Sequence, residues 1–403
     1  MRKPQEALQE ILSSVRPLST EVVDVLEARG RVLAEEVRAG RDLPPWDNSA
    51  MDGYAVRSGE TLLENERTLP IAFTIAAGDL PGPLPTGKAA RIMTGAPIPQ
   101  GADAVIMREE TDENVAGSVT LHRAVKPGEN LRHKGDDVRA DQVVLTPGTE
   151  VGPAEIAMLC SVGRSRVRVR RRPVVAILST GDEIAEVGDA PHPAKIINGN
   201  AWMLAAQVAE TGGIPRLLGI ARDTREDLVA HLRAAEHADV LLTIGGVSVG
   251  DFDFVKDALD DVGAKMDFWK VAIRPGKPLA VGSIGNTRVF GLPGNPVSSF
   301  VTFEVFVRPA LMTMLGHARV GRRTVAVKVV GKYAKKPGLT HYVRANLERT
   351  KDGVLAHLRT QQSSGAVTSI SGADALVVLE HDRESVSDGD AAVAMVLKDG
   401  WER

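Results

Sequence analysis

The sequence predicts a multidomain protein of the α/β plus β class, whose central domain is a three-layer α/β structure built on a mostly parallel sheet. Apolar runs rich in β-branched residues alternate with helical patterns between Pro173 and residue 320, as is typical of parallel sheets. Short β-like runs separated by prolines and glycines precede that region, and β-like runs alone follow Gly321. At 403 residues the chain is also longer than one ordinary domain.

The elements of the α/β region follow from its hydrophobic pattern. Continuous apolar runs predict strands, and longer runs between turn residues predict helices. We expect Asn200 and Thr224 to cap two helices, Gly212 to follow the end of the first, and Pro309 to bend the last. The predicted strands are 174–178, 217–221, 239–244 and 289–292, and the predicted helices are 201–210, 225–235, 254–259 and 297–315.

The flanking regions are predicted to be rich in β-structure. Brief apolar runs such as 104–108 precede the α/β region, and arginine alternates with valine at 166–170, as in a strand with one charged face. After Gly321 no further helix is expected, and Asp352-Gly353 predicts a hairpin turn. The strands predicted there are 324–330, 340–347 and 376–379.

Composition narrows the class of protein. The chain is 43% hydrophobic and 25% charged, as expected for a soluble globular protein. A net charge of −3 argues against general attraction to nucleic acids or anionic membranes, and no apolar run reaches membrane-spanning length. The single cysteine, Cys160, excludes an internal disulfide and a cysteine zinc site. We expect a cytoplasmic protein.

One irregular segment concentrates acids. Residues 44–56 read PPWDNSAMDGYAV and contain Asp47 and Asp52 beside Asn48 and Ser49. Two prolines and a glycine make a helix unfavourable there. Loops held by a rigid scaffold often carry function, so this segment is predicted to contribute to a site.

Three glycine-containing loops follow predicted α/β strands, at the sheet edge where ligands bind in open parallel sheets. Asn295 suits a helix N-cap and Pro296 the first helical position, so Gly294 and the amides beyond Pro296 are expected to seat an anion. The alternative is that these glycines serve only the turns of an α/β fold. The loops are Thr180-Gly181-Asp182-Glu183, Gly245-Gly246-Val247-Ser248 and Pro293-Gly294-Asn295-Pro296.

Charged residues accompany these loops. Acids beside an anion would repel it unless a cation such as Mg²⁺ lies between them. If 268–274 is extended, Lys270 and Arg274 project from one face, although a strand with two solvated cations explains the same pattern. Mixed acids and bases favour a metal-bridged phosphate or oxyanion. The acids are Glu183, Asp223, Asp251 and Asp253, and the bases are Lys270, Arg274 and Lys277.

Two short motifs suggest other chemistry. Residues 82–89 resemble a phosphate-binding P-loop, but Ala89 lacks the hydroxyl that binds magnesium, and no helix is predicted after it. Residues 246–250 match the G-x-S-x-G pattern of serine hydrolases around Ser248, with no signal that selects a partner histidine. A serine hydrolase is therefore kept as a remote alternative.

Six blocks in one order resemble the molybdopterin molybdenumtransferase family, the bacterial MoeA type related to the gephyrin E domain. They are PPWDNSAMDGYAV, RIMTGAPIP, STGDE, GGVSVGDFDF, RPGKP and GLPGNPVS. The resemblance implies an elongated subunit of four parts. These are a discontinuous dimerisation domain at 1–40 and 137–172, an inserted β-rich domain at 41–136, a molybdopterin-binding α/β domain at 173–320, and a β-barrel-like domain at 321–403.

The resemblance also implies an activity, in which molybdate is inserted into adenylated molybdopterin with release of AMP and a requirement for Mg²⁺. The site would lie between the subunits of a homodimer, so that Asp52 faces the α/β domain of the other chain. Transient contacts with other enzymes of the pathway are possible. The alternatives are a molybdopterin adenylyltransferase, because a related α/β domain performs that step, and a non-catalytic scaffold.

Site residues are assigned from the motifs and the resemblance together. Thr94 would hydrogen-bond an oxyanion, and Lys270 and Arg274 would neutralise molybdate or phosphate; the family often has lysine at the position of Arg274. The predicted metal ligands are Glu183, Asp223 and Asp253. The predicted catalytic residues are Asp52, Glu183, Asp253, Lys270 and Arg274, and the predicted substrate-binding residues are Thr94, Ser179, Thr180, Gly181, Gly245, Gly246, Ser248, Pro293, Gly294, Asn295 and Pro296.

Overall fold

A computed structural model describes residues 1–61, 66–114, 117–246, 252–398 and 400–401, with backbone alone at 252–254, 256 and 269. The chain divides into two compact units. Unit 1 comprises Met1–Glu21, Gly30–Val32 and Val169–Arg403, and unit 2 comprises Val22–Arg29 and Leu33–Arg168. The predicted four-part division stays a prediction, and its boundaries differ from these, since the predicted domain at 1–40 and 137–172 has residues in both units.

Unit 2 is built on a six-stranded sheet, as its apolar runs predicted. Tyr54 and Val56 pack into one hydrophobic cluster and Ala55 into another, because successive side chains in a strand point to opposite faces. The segment that contains Asp52 is not helical, as predicted. In spatial order the strands are Ala104–Met107, Gly53–Val56, Ala89–Ile92, Arg67–Ile75, Ser118–Leu121 and Thr111–Asn114.

Shorter elements complete the N-terminal half of the chain. Helices span Pro4–Ser14 and Pro153–Ser161, each with proline in its first turn. The predicted arginine–valine strand is observed at Arg166–Arg170, with Val167 and Val169 buried. The remaining short strands are Thr20–Asp24, Val37–Arg38, Asn48–Ser49, Leu131–Arg132 and Val143–Leu145.

The α/β region contains a mixed six-stranded sheet. Its first four strands are parallel, as predicted; the fifth is antiparallel to both of its neighbours, and neither the fifth nor the sixth strand was predicted. The prediction of one extended segment through Lys270 and Arg274 was wrong, because Lys270 ends a strand of this sheet and Arg274 pairs with His341 in another. The order is Ile214–Ala221, Val174–Thr180, Val240–Ile244, Thr287–Leu292, Pro278–Ile284 and Ala264–Lys270.

The core of this region lies on both faces of the sheet. Val175 and Ile177 pack into a cluster that includes Leu204, whereas Ala176 and Leu178 pack into a second cluster. Helix residues occupy both clusters, since the first also contains Val301 and Phe306 and the second contains Leu228, Leu232 and Leu259. These contacts agree with the predicted three-layer arrangement, which we keep as a prediction.

The α/β helices are Gly199–Glu210, Arg225–Ala234, Phe252–Asp261, Pro296–Thr302 and Arg308–Met314. Thr224 caps the second by accepting a hydrogen bond from the Asp227 amide, as predicted. The N-cap assigned to Asn200 was wrong, because the first helix begins earlier and its N-cap is Asn198.

The last two α/β helices are joined by a π-helical turn. The turn spans Phe303–Val307 and ends two residues before Pro309, whose missing N–H interrupts the α-helical ladder. Within the described residues, Pro296–Met314 is the one stretch long and apolar enough to cross a membrane by length and composition, and 78% of its most apolar window is buried inside the protein.

The C-terminal region is a six-stranded sheet in which five strands close on themselves and Ile273–Arg274 pairs alongside Thr340–Thr350. Closure comes from Thr340–Thr350, which pairs with Gly353–Leu358 and also with Ala375–Leu379. The predicted hairpin is present, with its turn one residue earlier than expected. The expectation of no further helix was wrong, since Thr368–Ser371 forms a short one. The other strands are Ile273–Arg274, Thr324–Val330 and Ala391–Val396, and the pair Tyr333–Ala334 and Ser385–Val386 lies outside the sheet.

Gly53 should be a sensitive position in unit 2, because it leads from Asp52 into a central strand. A Cβ atom there would collide with the Ile106 carbonyl oxygen of the neighbouring strand. We expect Gly53→Ala to destabilise the protein by about 1–3 kcal/mol, as overpacking does, and to lower the unfolding temperature measured by calorimetry. Gly59→Ala is the matched control, since a Cβ at Gly59 meets nothing within 4 Å; equal unfolding temperatures for the two variants would contradict the prediction.

Candidate functional site

A cavity of about 1140 Å³ lies in unit 1 at the carboxyl ends of the parallel strands. All three predicted glycine loops line it, so the structure brings together most of the predicted substrate-binding residues. Two of the predicted metal ligands line it as well. The predicted residues in its wall are Ser179, Thr180, Gly181, Glu183, Asp223, Gly245, Gly246, Pro293, Gly294, Asn295 and Pro296.

Glycine is required where these loops converge. Gly245 has φ +88° and Gly246 has φ +66°, a region that residues with a Cβ rarely adopt. A Cβ at Gly245 would lie 3.1 Å from the Thr180 carbonyl oxygen, and one at Gly246 would lie 2.5 Å from a methyl group of Val255. A Cβ at Gly294 would lie 3.9 Å from the Gly245 Cα atom. The backbones of the second and third loops therefore line the cavity side by side.

Hydrogen bonds fix the polar side chains of the cavity wall. The Ser179 hydroxyl donates to the Asn198 amide oxygen at 2.7 Å, and the Thr180 hydroxyl donates to the Ile244 carbonyl at 3.2 Å. The Asn200 amide nitrogen donates to the Gly294 carbonyl at 2.6 Å. Asn198 and Asn200 were not predicted as site residues; an Asn-Gly-Asn segment before a helix was their only signal, and it suggested a cap instead.

Glu183 and Asp223 bring two carboxylates to the cavity wall. Asp223 accepts a hydrogen bond from the Asp182 amide at 3.3 Å, and a Cβ at Gly181 would collide with the Glu183 carboxylate. No ion pair to a cationic side chain is found for either carboxylate in the described part of the chain. Two free carboxylates suit a hard cation such as Mg²⁺, which commonly takes one or two carboxylates plus substrate oxygens.

The rest of the predicted acidic set cannot be placed. Among the described residues no group of three or more potential metal ligands is found. Ser248 and Asp251 lie outside the described residues, and Asp253 lies in the helix Phe252–Asp261 with its side chain outside them.

The predicted anion seat beyond Pro296 is partly occupied by the protein itself. Asn295 is the N-cap by position but its side chain forms no capping hydrogen bond, and Pro296 holds the first helical position. The Val297 amide donates to the Ser364 carbonyl at 3.1 Å, and the Ser299 amide donates to the Asn295 carbonyl at 3.0 Å. The prediction that the first amides of this helix seat an anion was therefore wrong for Val297.

A second, smaller cavity of about 250 Å³ collects positive charge. Arg274, Lys277 and Arg344 line it, and none of its lining residues is acidic; all of them belong to the described part of the chain. Arg344 is only 2% exposed, its Nη2 donates to the Ser363 carbonyl at 3.2 Å, and its Nε has no partner. Burial, together with the charges of neighbouring arginines, lowers the pKa of Arg344 to about 10.

The two cavities are neighbours, because Pro278 lines both. The loop that ends at Pro278 packs tightly on the helix Pro296–Thr302, since a Cβ at Gly276, with φ +110°, would lie 2.5 Å from a methyl group of Thr302. Lys270 pairs in register with Pro278 but lines neither cavity. The sequence analysis missed Arg344, whose place in an otherwise ordinary strand gave no signal of burial.

In unit 2, Asp52 and Thr94 form an exposed pair. The Asp52 carboxylate accepts hydrogen bonds from the Thr94 amide at 2.7 Å and from the Thr94 hydroxyl at 2.8 Å. The hydrogen bond from the Thr94 amide lowers the pKa of Asp52 most, and the hydrogen bond from the Thr94 hydroxyl lowers it further. The positive charge of Arg108 makes a smaller contribution. Asp52 is therefore held ionised, and the single hydroxyl proton of Thr94 is directed at Asp52.

Comparison with known proteins covers almost the whole chain. Residues 2–163 match the family described as MoeA N-terminal region (domain I and II), residues 176–313 the family described as probable molybdopterin binding domain, and residues 326–397 the family described as MoeA C-terminal region (domain IV). The crystal structure of the molybdopterin biosynthesis MoeA protein from Pyrococcus horikosii is similar, with a TM-score of 0.84 and 31% identity over 98% of this chain and 99% of that chain.

Two bacterial relatives share one name. Molybdopterin molybdenumtransferase of Bacillus subtilis (strain 168) is 36% identical over 407 residues, which cover 98% of this chain and 94% of that protein. Molybdopterin molybdenumtransferase of Nostoc sp. (strain PCC 7120) is 38% identical over 396 residues, which cover 94% of this chain and 89% of that protein. The chain therefore belongs to the molybdopterin molybdenumtransferase family.

Proposed function

We propose that this chain is an enzyme that inserts molybdenum into molybdopterin, taking molybdate and adenylated molybdopterin as substrates and releasing AMP in the presence of Mg²⁺. Membership of the family supports the overall activity. The observation that carries the proposal is that the large cavity, lined by Glu183 and Asp223, adjoins at Pro278 the small cavity lined by three cations, and that none of these charged groups forms an ion pair within the described residues.

The larger cavity is assigned to adenylated molybdopterin. Its volume of about 1140 Å³ is ample for a nucleotide-sized ligand. Glycines at Gly245, Gly246 and Gly294 leave the backbone bare, so that phosphate oxygens can approach it closely. The hydroxyls of Ser179 and Thr180 have their protons engaged inside the wall, which leaves their oxygens as acceptors for donor groups of the ligand.

Glu183 and Asp223 are assigned to Mg²⁺, with Asp253 as the further ligand that the family resemblance implies. When bound, the ion would offset the negative charge of the phosphates near these acids. The carboxylates also orient the ligand, because they repel its anionic groups from every position where the ion does not lie between them. The charge of this wall supports the proposal that turnover requires magnesium.

The smaller cavity is assigned to molybdate. A tetrahedral dianion fits its volume of about 250 Å³ and matches the charges of Arg274, Lys277 and Arg344. A buried arginine without a carboxylate partner is costly, and a bound oxyanion would remove that cost. Arg274 supplies the same charge as a lysine would, with a wider fork of donors. Lys270 is assigned to the approach to this cavity.

Asp52 is assigned to the site of the partner subunit in a homodimer. Its two hydrogen bonds from Thr94 keep the carboxylate ionised and fixed in position, as an acid/base group or a metal contact requires. Thr94 then acts through Asp52 rather than on the oxyanion directly. A cytoplasmic location is kept as an expectation, and tungstate is the natural competitor of molybdate.

The acids of the larger cavity are tested by molybdenum transfer. We expect Glu183→Gln and Asp223→Asn each to lower the rate of AMP release by about 10²-fold or more, and to raise the Mg²⁺ concentration required, because each removes one negative charge from the ion's surroundings. Purified protein is mixed with adenylated molybdopterin, molybdate and Mg²⁺. Glu226→Gln, an exposed acid on the helix that follows Asp223, is the control. Absence of AMP release by the unmodified protein would reject the proposed function.

The dimeric site is tested by complementation between inactive variants. Asp52→Ala and Glu183→Ala are expected to be inactive alone. If each site uses Asp52 of one subunit and Glu183 of the other, a mixed dimer keeps one intact site, and random mixing restores about a quarter of the wild-type rate. Refolding the two variants together and measuring AMP release checks this. No recovery in mixtures that contain mixed dimers would exclude a shared site.

Arg344 is tested by stability and binding together. We expect Arg344→Met to weaken molybdate binding about 10–100-fold, as loss of a charged hydrogen bond does, while leaving the unfolding temperature equal or higher, because it removes an unpaired buried charge. Titration calorimetry with molybdate and thermal unfolding measure the two effects. Arg349→Met, an exposed arginine on the same strand, should change neither. Unchanged molybdate affinity in Arg344→Met would refute the assignment of the cavity.

A further inference from the structure

We propose that Tyr333 donates a hydrogen bond from its hydroxyl to the oxyanion in the small cavity, and that His341 positions that hydroxyl. The inference rests on the assignment of this cavity to molybdate and extends it by two residues. Neither residue was singled out in the sequence, and neither belongs to the six motifs.

Tyr333 and His341 form one unit beside the cationic cavity. Tyr333 lines the cavity from the short strand Tyr333–Ala334. Its hydroxyl lies 3.0 Å from Nδ1 of His341, and the two rings meet edge to face at 70°, with centroids 5.7 Å apart. His341 lies on the strand Thr340–Thr350, is 3% exposed, and pairs in register with Arg274. The strand that carries the cavity residue Arg344 thus also holds His341 next to Tyr333.

The surroundings of His341 keep its imidazole neutral. Burial, with smaller contributions from the positive charges of Lys335 and Arg274, lowers the pKa of His341 to about 4. A neutral imidazole carries one N–H, on either Nδ1 or Nε2. At neutral pH, His341 therefore adds no charge to the cavity, and its hydrogen bond with Tyr333 depends on the tautomer alone.

The tautomer decides what Tyr333 offers to a ligand. If Nδ1 lacks the proton, the tyrosine hydroxyl donates to His341 and presents only lone pairs to the cavity. If Nδ1 carries the proton, His341 donates to the hydroxyl oxygen, and the Tyr333 proton is free to point elsewhere. An oxyanion is an acceptor on every side, so we assign the Nδ1–H tautomer in the ligand-bound protein.

A neutral hydrogen-bond donor suits this cavity better than another cation, which would increase the repulsion between the positive charges. Arg274, Lys277 and Arg344 already place like charges around about 250 Å³. A tyrosine hydroxyl adds a directed hydrogen bond without further repulsion between cations. Because His341 sets the orientation of the Tyr333 hydroxyl, this donor is already in position before the ligand binds.

The test is a double-mutant cycle on the full-length protein, with molybdate alone as the titrant in calorimetry. We expect Tyr333→Phe to weaken molybdate binding about tenfold, the typical loss of one hydrogen bond to a charged group. His341→Leu should weaken it by a similar factor, because the hydroxyl loses its fixed orientation. His341→Asn should retain much of the affinity, since its amide can replace the Nδ1–H donor.

The decisive variant is Tyr333→Phe/His341→Leu. If His341 acts only through the hydroxyl, the double variant binds molybdate no more weakly than Tyr333→Phe alone. Additive losses, or equal losses in His341→Leu and His341→Asn, would show a merely structural role and overturn the inference. His357→Asn, a histidine on the exposed part of the adjacent strand, is the matched control, and thermal unfolding shows that each variant is folded.

Two further arms separate this inference from the proposed function. If the unmodified protein fails to bind molybdate, or Arg344→Met binds it normally, the cavity assignment itself fails. If Arg344→Met loses binding and Tyr333→Phe does not, only the present inference is wrong. Titration with AMP distinguishes the source of the anion: a loss in Tyr333→Phe confined to AMP would mean that the hydroxyl serves the adenylate phosphate, and would also overturn the inference.

Discussion

Charge without an internal partner is the constraint on which the site depends. Arg344 is almost completely buried, yet no carboxylate faces it in the described part of the chain, and its Nε has no partner. On the other side of Pro278, Glu183 and Asp223 line the larger cavity, and neither forms an ion pair with a cationic side chain among the described residues. Neither arrangement stabilises the folded protein by itself, because unpaired charges repel one another or lose hydration when they are buried. Ligands of opposite charge give both arrangements a purpose, and the two signs indicate two kinds of ligand.

Backbone geometry makes this separation possible. The glycines of the strand-end loops allow three segments from distant parts of the chain to lie within van der Waals distance, as Gly245 and Gly294 do. Gly276 likewise allows the loop that carries Arg274 and Lys277 to pack directly on Thr302. Each of these close approaches requires a glycine, and the side chain that glycine lacks would otherwise fill part of the cavity. The chemistry of the site is therefore set as much by absent side chains as by the charged ones.

The sequence predicted the parallel strands and glycine loops well, because continuous β-branched runs and turn residues are local signals. It failed where tertiary context decides. The antiparallel strands Ala264–Lys270 and Pro278–Ile284 escaped prediction, since the first alternates with polar residues and the second begins with proline. Lys270 and Arg274 are close in sequence, but a break between them sends each to a different sheet. The burial of Arg344 without a carboxylate partner in the described part of the chain depends on closure of the C-terminal sheet, which no local pattern records.

Two adjacent cavities are a better solution for this chemistry than one. An oxyanion placed directly among Glu183 and Asp223 would be repelled, and a phosphate-bearing ligand placed among Arg274, Lys277 and Arg344 would compete with it. Separate cavities that meet at Pro278 would keep the oxyanion beside Arg274, Lys277 and Arg344, while a Mg²⁺ ion would separate the phosphates of the larger ligand from Glu183 and Asp223. The cost appears in stability, because each cavity keeps unbalanced charge while empty. Binding of both ligands should consequently tighten the region around Pro278, since each removes repulsion from one of its two sides.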